Sequence, residues 1–175
     1  MPIIRTTSRL IIKSWAPEDL LHYLTLSKDK GYNCFSPPEH FSVKSDEEAL
    51  RKIQQRIQLF NERGLGKFPL LDKETNEFIG TCGMEPYLID GKEVIELGYR
   101  LCHKHWGRGH ATEAARSIIN YGFEELKLPK IVGFAADQNV RSIAVLTKLG
   151  FHFVGNISHA GTPHQLYEIH SGRGD

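Results

Sequence analysis

At 175 residues the chain is sized for one domain around one core. Its 22 lysines and arginines nearly cancel 21 aspartates and glutamates, and the pI is near 7.8. No strong net field would therefore draw it to nucleic acid or an anionic membrane, and neither is expected as a partner. The three cysteines are an odd number at no metal-like spacing, the opening MPIIRTTSRLIIKSW lacks a long apolar run, and no stretch approaches the roughly 20 apolar residues that span a bilayer. A soluble, cytoplasmic protein is expected.

Arg9 to Lys13 reads as a short strand, followed by a helix opened by Pro17, Glu18 and Asp19, with Leu20, Leu21 and Leu24 on its buried face. In GYNCFSPPEHF, Gly31 and the Pro37-Pro38 pair argue against a regular helix and leave a loop that could line a substrate pocket. Ser45 and Glu48 fit a capping box, and Leu50, Ile53, Ile57 and Phe60 follow at helical spacing up to Gly64. Three strands, Lys67 to Asp72, Glu77 to Tyr87 and Glu93 to Cys102, form an expected antiparallel meander.

Beyond a glycine-containing loop, Ala111, Ala115, Ile118, Ile119, Gly122 and Leu126 make an apolar stripe that ends before Pro129. Ile131 to Ala136 reads as a strand, Val140 to Leu149 as a helix closed by Gly150, and Phe151 to Asn156 with Gln165 to Ile169 as a last strand pair. The expected fold is α+β, a mixed and mostly antiparallel sheet flanked by about four helices. Residues 1–170 are expected to form a single domain, with 171–175 a frayed tail.

The segment HWGRGHATEA places two glycines between a strand and a helix, where main-chain N–H groups can face an anion. The helix start adds about half a positive charge and unpaired donors of its own, a setting suited to a diphosphate. Gly107 and Gly109 could equally make a plain tight turn. The spacing is not that of the phosphate loop G-x-x-x-x-G-K-[ST], and the dinucleotide fingerprint would need Gly or Ala where Thr112 stands.

The wider pattern resembles the GNAT N-acetyltransferase superfamily from about Thr7 to Ile169. Its acyl-CoA motif [QR]-x-x-G-x-[GA] aligns with Trp106 to Ala111, with Trp106 in place of the usual Gln or Arg. The W-G-x-G-x-A-T-E-A form resembles the ribosomal-protein-alanine acetyltransferase branch. Glu96 to Leu101, and Asn139 to Ser142 with Lys148 to Phe151, stand at family-like spacing. The resemblance implies an acetyl-CoA co-substrate whose pyrophosphate is cradled by Arg108, Gly109, His110, Ala111 and Thr112, with Gly107 also in the cofactor-binding set. It implies that the main chain of Leu101, Cys102 and His103 pairs with the pantetheine amides, with Asn139 and Ser142 on the other side. Asn139 also suits a helix N-cap.

An N-acetyltransferase with both substrates bound at once is the expected activity, the acceptor being a protein N-terminal α-amine or a small-molecule amine. About a tenth of an α-amine is neutral at pH 7 by reference values, so it needs little help from a base. Glu96 is the expected base, direct or through water, although it could be an ordinary paired strand glutamate. Many relatives carry a tyrosine acid seven residues after the asparagine, where this chain has Leu146; Ser142, Tyr99 and Tyr167 are unranked substitutes. No metal is expected, since His103 and His105 lack identifiable further ligands, and Cys82 and Cys102 read as small buried residues. A catalytically silent acyl-CoA-binding module and an unrelated nucleotide-binding protein are the competing readings. The acceptor pocket is expected from the first helices, the Tyr32–Phe41 loop and the Ile157–His164 loop, and the assembly is a monomer or homodimer.

Overall fold

The computed structural model describes residues 2–35 and 43–172. Eight strands form one sheet: β1 (Ile3–Thr6), β2 (Leu10–Lys13), β3 (Gly66–Asp72), β4 (Phe78–Ile89), β5 (Lys92–Leu101), β6 (Lys130–Ala136), β7 (His152–His159) and β8 (Thr162–His170). Their spatial order is β1-β2-β3-β4-β5-β6-β8-β7, and every neighbouring pair is antiparallel except β5 with β6. The helices are α1 (Leu20–Lys28), α2 (Lys30–Asn33), α3 (Asp46–Arg63), α4 (His110–Glu124) and α5 (Val140–Lys148). This is the mostly antiparallel α+β sheet flanked by helices that the pattern predicts. Among the described residues, no helix is long and apolar enough to cross a membrane.

Two apolar clusters sit on opposite faces. Strand alternation sends Leu97, Tyr99 and Leu101 toward α4 and α5, where they meet Ala114, Ala115, Ile118 and Leu146. On the other face Ala49 and Ile53 of α3 pack with Trp15, Tyr23, Leu26 and Phe78. The α3 cap forms as Ser45 Oγ accepts from Glu48 N at 3.2 Å, while the Glu48 carboxylate reaches Lys44 N, one residue earlier than a capping box requires. Gly64, at φ +67, closes the helix.

Several expectations need correction. On α1 Leu20 and Leu24 pack partly buried against the core as expected, but Leu21 is 75% exposed and the fully buried residues are Tyr23 and Leu26; the 3-10 turn Pro17–Asp19 precedes the helix. β1 is an additional edge strand, paired with β2. Lys30–Asn33 is a helical turn within the predicted loop: the Pro37-Pro38 pair lies beyond it, and Gly31 packs so closely on His103 that a Cβ would stand 2.5 Å from the His103 Cβ. Residues 36–42 of that loop lie outside the described residues. The Ile157–His164 segment is a hairpin whose strands run to a two-residue turn at Ala160 and Gly161, both at positive φ. Ser171 donates from its N–H to Pro129 O at 3.1 Å, which ties down the first residue of the expected tail; 173–175 are outside the described residues.

Candidate active-site cleft

The parallel strands β5 and β6 share one registered pair, Glu96 with Val132. Beyond it β5 continues to Leu101 and β6 to Ala136, and the space between them opens into a cleft of about 770 Å³. Register fixes what faces that gap. Cys102 N–H donates to Ile79 O, so Gly80 and Leu101 form a pair whose own main-chain groups point away from each other. Stepping back by two, Tyr99 and Leu101 both direct main-chain groups away from β4, toward the gap. The Leu101 carbonyl accepts from the Trp106 indole at 2.8 Å.

The glycine loop closes the deep end. Gly107 and Gly109 adopt φ of +74 and +78, a region that costs other residues roughly 1 to 2 kcal/mol. Gly109 is the N-cap of α4 and no side chain caps that helix, so its first donors are left to another group. The loop is anchored from the β1–β2 hairpin. The Glu113 carboxylate accepts from Thr7 Oγ1, Ser8 Oγ, Arg9 N and Arg9 Nε at 2.6 to 3.0 Å, while Arg9 Nη1 donates to Arg108 O at 2.8 Å. Burial works against the carboxylate, but these donors overcome it and hold Glu113 at about 2. Trp106 is clamped between His103, edge-on at 4.9 Å, and the Arg141 guanidinium at 5.2 Å.

Across the cleft, Asn139 Oδ1 caps α5 by accepting from Ser142 N at 3.2 Å. The Tyr99 hydroxyl lies 3.0 Å from both Ser142 O and Ser142 Oγ, and burial raises it well above the ordinary tyrosine value. Leu146 is 1% exposed and fills the space over Gly133, where a Cβ would stand 2.7 Å from its Cδ2. Tyr167 donates to Gln165 Oε1 at 2.7 Å and does not line the cleft.

Glu96 lies on the sheet face opposite α4, and Lys67 Nζ meets its carboxylate at 2.7 Å. The lysine reaches it along a row in which Lys67 pairs with Gly83 and Gly83 with Gly98. A Cβ on Gly98 would stand 1.8 Å from Lys67 Nζ, so the missing side chain is what admits the ammonium. Burial opposes the charge on Lys67, yet the Glu96 and Glu85 carboxylates outweigh it and hold the ammonium above the usual lysine value. On the same face stand Tyr87, Phe134 and His159, with Tyr87 Oη 2.7 Å from His159 Nδ1 and Phe134 4.9 Å from both rings.

Of the residues singled out by sequence, Glu96, Leu101, His103, Gly107, Gly109, His110, Ala111, Thr112, Asn139 and Ser142 all line this one cleft. Arg108 and Cys102 do not: Arg108 is exposed beside the loop, and Cys102 is buried in the opposite cluster with its N–H already given to Ile79. The main-chain N–H of His103 lies 3.3 Å from an Asp29 carboxylate oxygen. Burial pushes the Cys82 thiol up to about 12 and the Cys102 thiol up to about 11, which leaves both as packing residues. His103 is exposed and His105 buried, and both border the cleft. Sequence reasoning missed Lys67, Arg9 and Glu113; the A-T-E-A glutamate was part of the matched motif but carried no sign of its partner.

A family description for an acetyltransferase (GNAT) domain matches residues 9–152. YkkB of Bacillus subtilis (strain 168) is 39% identical over 110 residues, which is 62% of this chain and 64% of that relative, so the match spans less than two thirds of the relative's length. A GNAT-family acetyltransferase from Bacillus anthracis superposes with a TM-score of 0.76 at 24% identity, over 97% of this chain and 98% of that one. The ribosomal L7/L12 α-N-protein acetyltransferase RimL, solved with coenzyme A, has a TM-score of 0.79 at 20% identity, over 97% and 98%. With the family matched over most of its length and the sheet of these neighbours reproduced, the chain belongs to the GNAT acetyltransferase domain family.

Proposed function

We propose that the chain moves the acetyl group of acetyl-CoA to a primary amine, with both substrates held together in the cleft. The observation that carries this reading is the uncapped α4 terminus, with its two left-handed glycines, opening into the gap between β5 and β6. Amides from Gly107 to Thr112 would hold the pyrophosphate, with Arg108 a charged donor from the side. The gap-facing main chain of Tyr99 and Leu101 would pair with the pantetheine amides as a neighbouring strand does; His103, whose N–H goes to Asp29 and whose carbonyl accepts from Trp106 N, would join only by giving up one of those bonds. Asn139 and Ser142 would face the pantetheine from α5. Cys102 has no part in this arrangement.

The acceptor would enter on the opposite sheet face, past Tyr87, Phe134 and His159. There the Glu96 and Glu85 carboxylates draw in the ammonium form of the amine, and Glu96 takes its proton, directly or through water. The neutral nitrogen attacks the thioester carbonyl, the C–S bond breaks, and coenzyme A leaves as the thiolate, which takes up the proton that the new amide nitrogen sheds; its reference value near 8.5 makes a dedicated acid dispensable where Leu146 replaces tyrosine. A protein or peptide α-amine is the favoured acceptor, because roughly a tenth of it is already neutral at pH 7. RimL, whose name records an α-N-protein acceptor, shares the fold.

Calorimetry with acetyl-CoA and CoA, followed by thiol release across α-amine peptides, polyamines and small amines, tests the reading. Binding plus turnover fastest on α-amines is the expected result, and absence of coenzyme binding would overturn it. The ion pairing of Glu96 and the loss of the tyrosine favour one other reading, a silent acyl-CoA-binding module, which predicts coenzyme binding without turnover on any acceptor.

A further inference from the structure

We propose that His152, Glu168 and His170 form a binding site for a divalent transition-metal ion of the zinc type, on the outer strands of the sheet and apart from the cleft. His170 and Glu168 are two residues apart on β8 and so share a face, and His152 stands opposite Glu168 in the β7–β8 register. Three ligands are thus set by the ladder itself. His170 Nε2 lies 2.9 Å and His152 Nε2 4.0 Å from Glu168 Oε1, and the three ligand atoms all fall within 4.8 Å of one another. The two imidazoles are parallel within 13° with centroids 6.0 Å apart.

Zinc binds imidazole nitrogen and carboxylate oxygen at about 2.0 to 2.2 Å, so neighbouring ligand atoms in a tetrahedral site lie roughly 3.5 Å apart. Binding would draw His152 Nε2 in from 4.0 Å and move His170 Nε2 out from 2.9 Å relative to Glu168 Oε1. Lys130 Nζ lies 3.0 Å from Glu168 Oε2 and therefore leaves Oε1 to the ion while fixing the carboxylate from behind. Two imidazoles select zinc, nickel or cupric ions over magnesium or calcium, and the open fourth position would be filled by water. The three ligands lie outside the lining of the cleft but on the same sheet face as Glu96: Glu168 stands in one row with Val132 and Glu96, two strand spacings or roughly 10 Å from Glu96.

The test is calorimetric titration of the metal-stripped full chain, without a polyhistidine tag, using zinc chloride and, separately, magnesium chloride. One zinc per chain and no magnesium response are expected. His152→Ala and His170→Ala should each weaken zinc binding by roughly tenfold or more, Glu168→Gln should also weaken it, and His103→Gln should leave it unchanged. Zinc should raise the thermal midpoint of the parent but not of His152→Ala, an edge-strand change suited to a folded control by circular dichroism. No zinc uptake, or uptake that survives both histidine substitutions in folded protein, would overturn the proposal.

Discussion

Replacing Glu113 by glutamine keeps the shape of the anchor between α4 and the β1–β2 hairpin but removes its charge. A carboxyl held at about 2 instead of its reference 4.5 corresponds to about 3 kcal/mol of extra carboxylate stabilisation in the folded chain. The side chain is only 17% exposed, so little of this is lost to solvent screening. Because the folded value lies below the unfolded one, this stabilisation is complete above about pH 4.5 and fades as pH falls toward 2. Urea unfolding at pH 7 should therefore show Glu113→Gln less stable by about 2 to 3 kcal/mol, or a midpoint lower by about 5 to 10 °C. The gap should narrow steadily between pH 4.5 and 3. Arg9 would also lose its partner and release Arg108 O, so acetyl-CoA affinity should fall by roughly tenfold. A stability difference below about 0.5 kcal/mol at pH 7, or one independent of pH, would refute the reasoning.

Gly98→Ala places a methyl against Lys67 Nζ, the mobile end of a long side chain; the fold should survive while kcat/KM drops about tenfold or more with coenzyme affinity retained, read by thiol release and calorimetry. Gly109→Glu combines a left-handed backbone with a negative charge at the α4 terminus and should abolish measurable coenzyme binding, whereas Gly91→Ala, at φ +75 in a remote turn, should show a similar backbone cost with unaltered binding. His105 and His110 are buried, lack hydrogen-bond partners for ring nitrogens among the described residues, and have values lowered mainly by that burial. Since the unfolded chain takes up their protons more readily, stability should fall as pH drops below about 6.5, and His110→Asn should flatten that dependence in thermal melts between pH 7 and 5.5.

The helices and strands with long apolar periods were readable from sequence because one buried face dictates their spacing, as in α3 and α4. The hairpin β7–β8 was underestimated because its tip is written in Asn, Ser and His, and its half-exposed strands need no apolar alternation. β1 offers four residues, too few for a period to emerge. The glycine loop was legible because Gly107 and Gly109 mark a left-handed turn in the backbone before α4, which glycine spacing reports directly. The Lys67–Glu96 pair was not, since it depends on the register of three strands and on two glycines that clear a path between them. Arg9 and Glu113 meet across 104 residues, a contact that no local pattern announces.

A single registered pair, Glu96 with Val132, joins β5 to β6, and beyond it the two halves of the sheet part. A ligand that bridges the opening would act as an inserted rung, making the occupied sheet one continuous ladder. Coenzyme at a hundred times its dissociation constant would then add about 2.7 kcal/mol to the stability of the whole chain. If the proposed coenzyme binds there, the persistence of this protein against unfolding and proteolysis would follow the supply of that coenzyme.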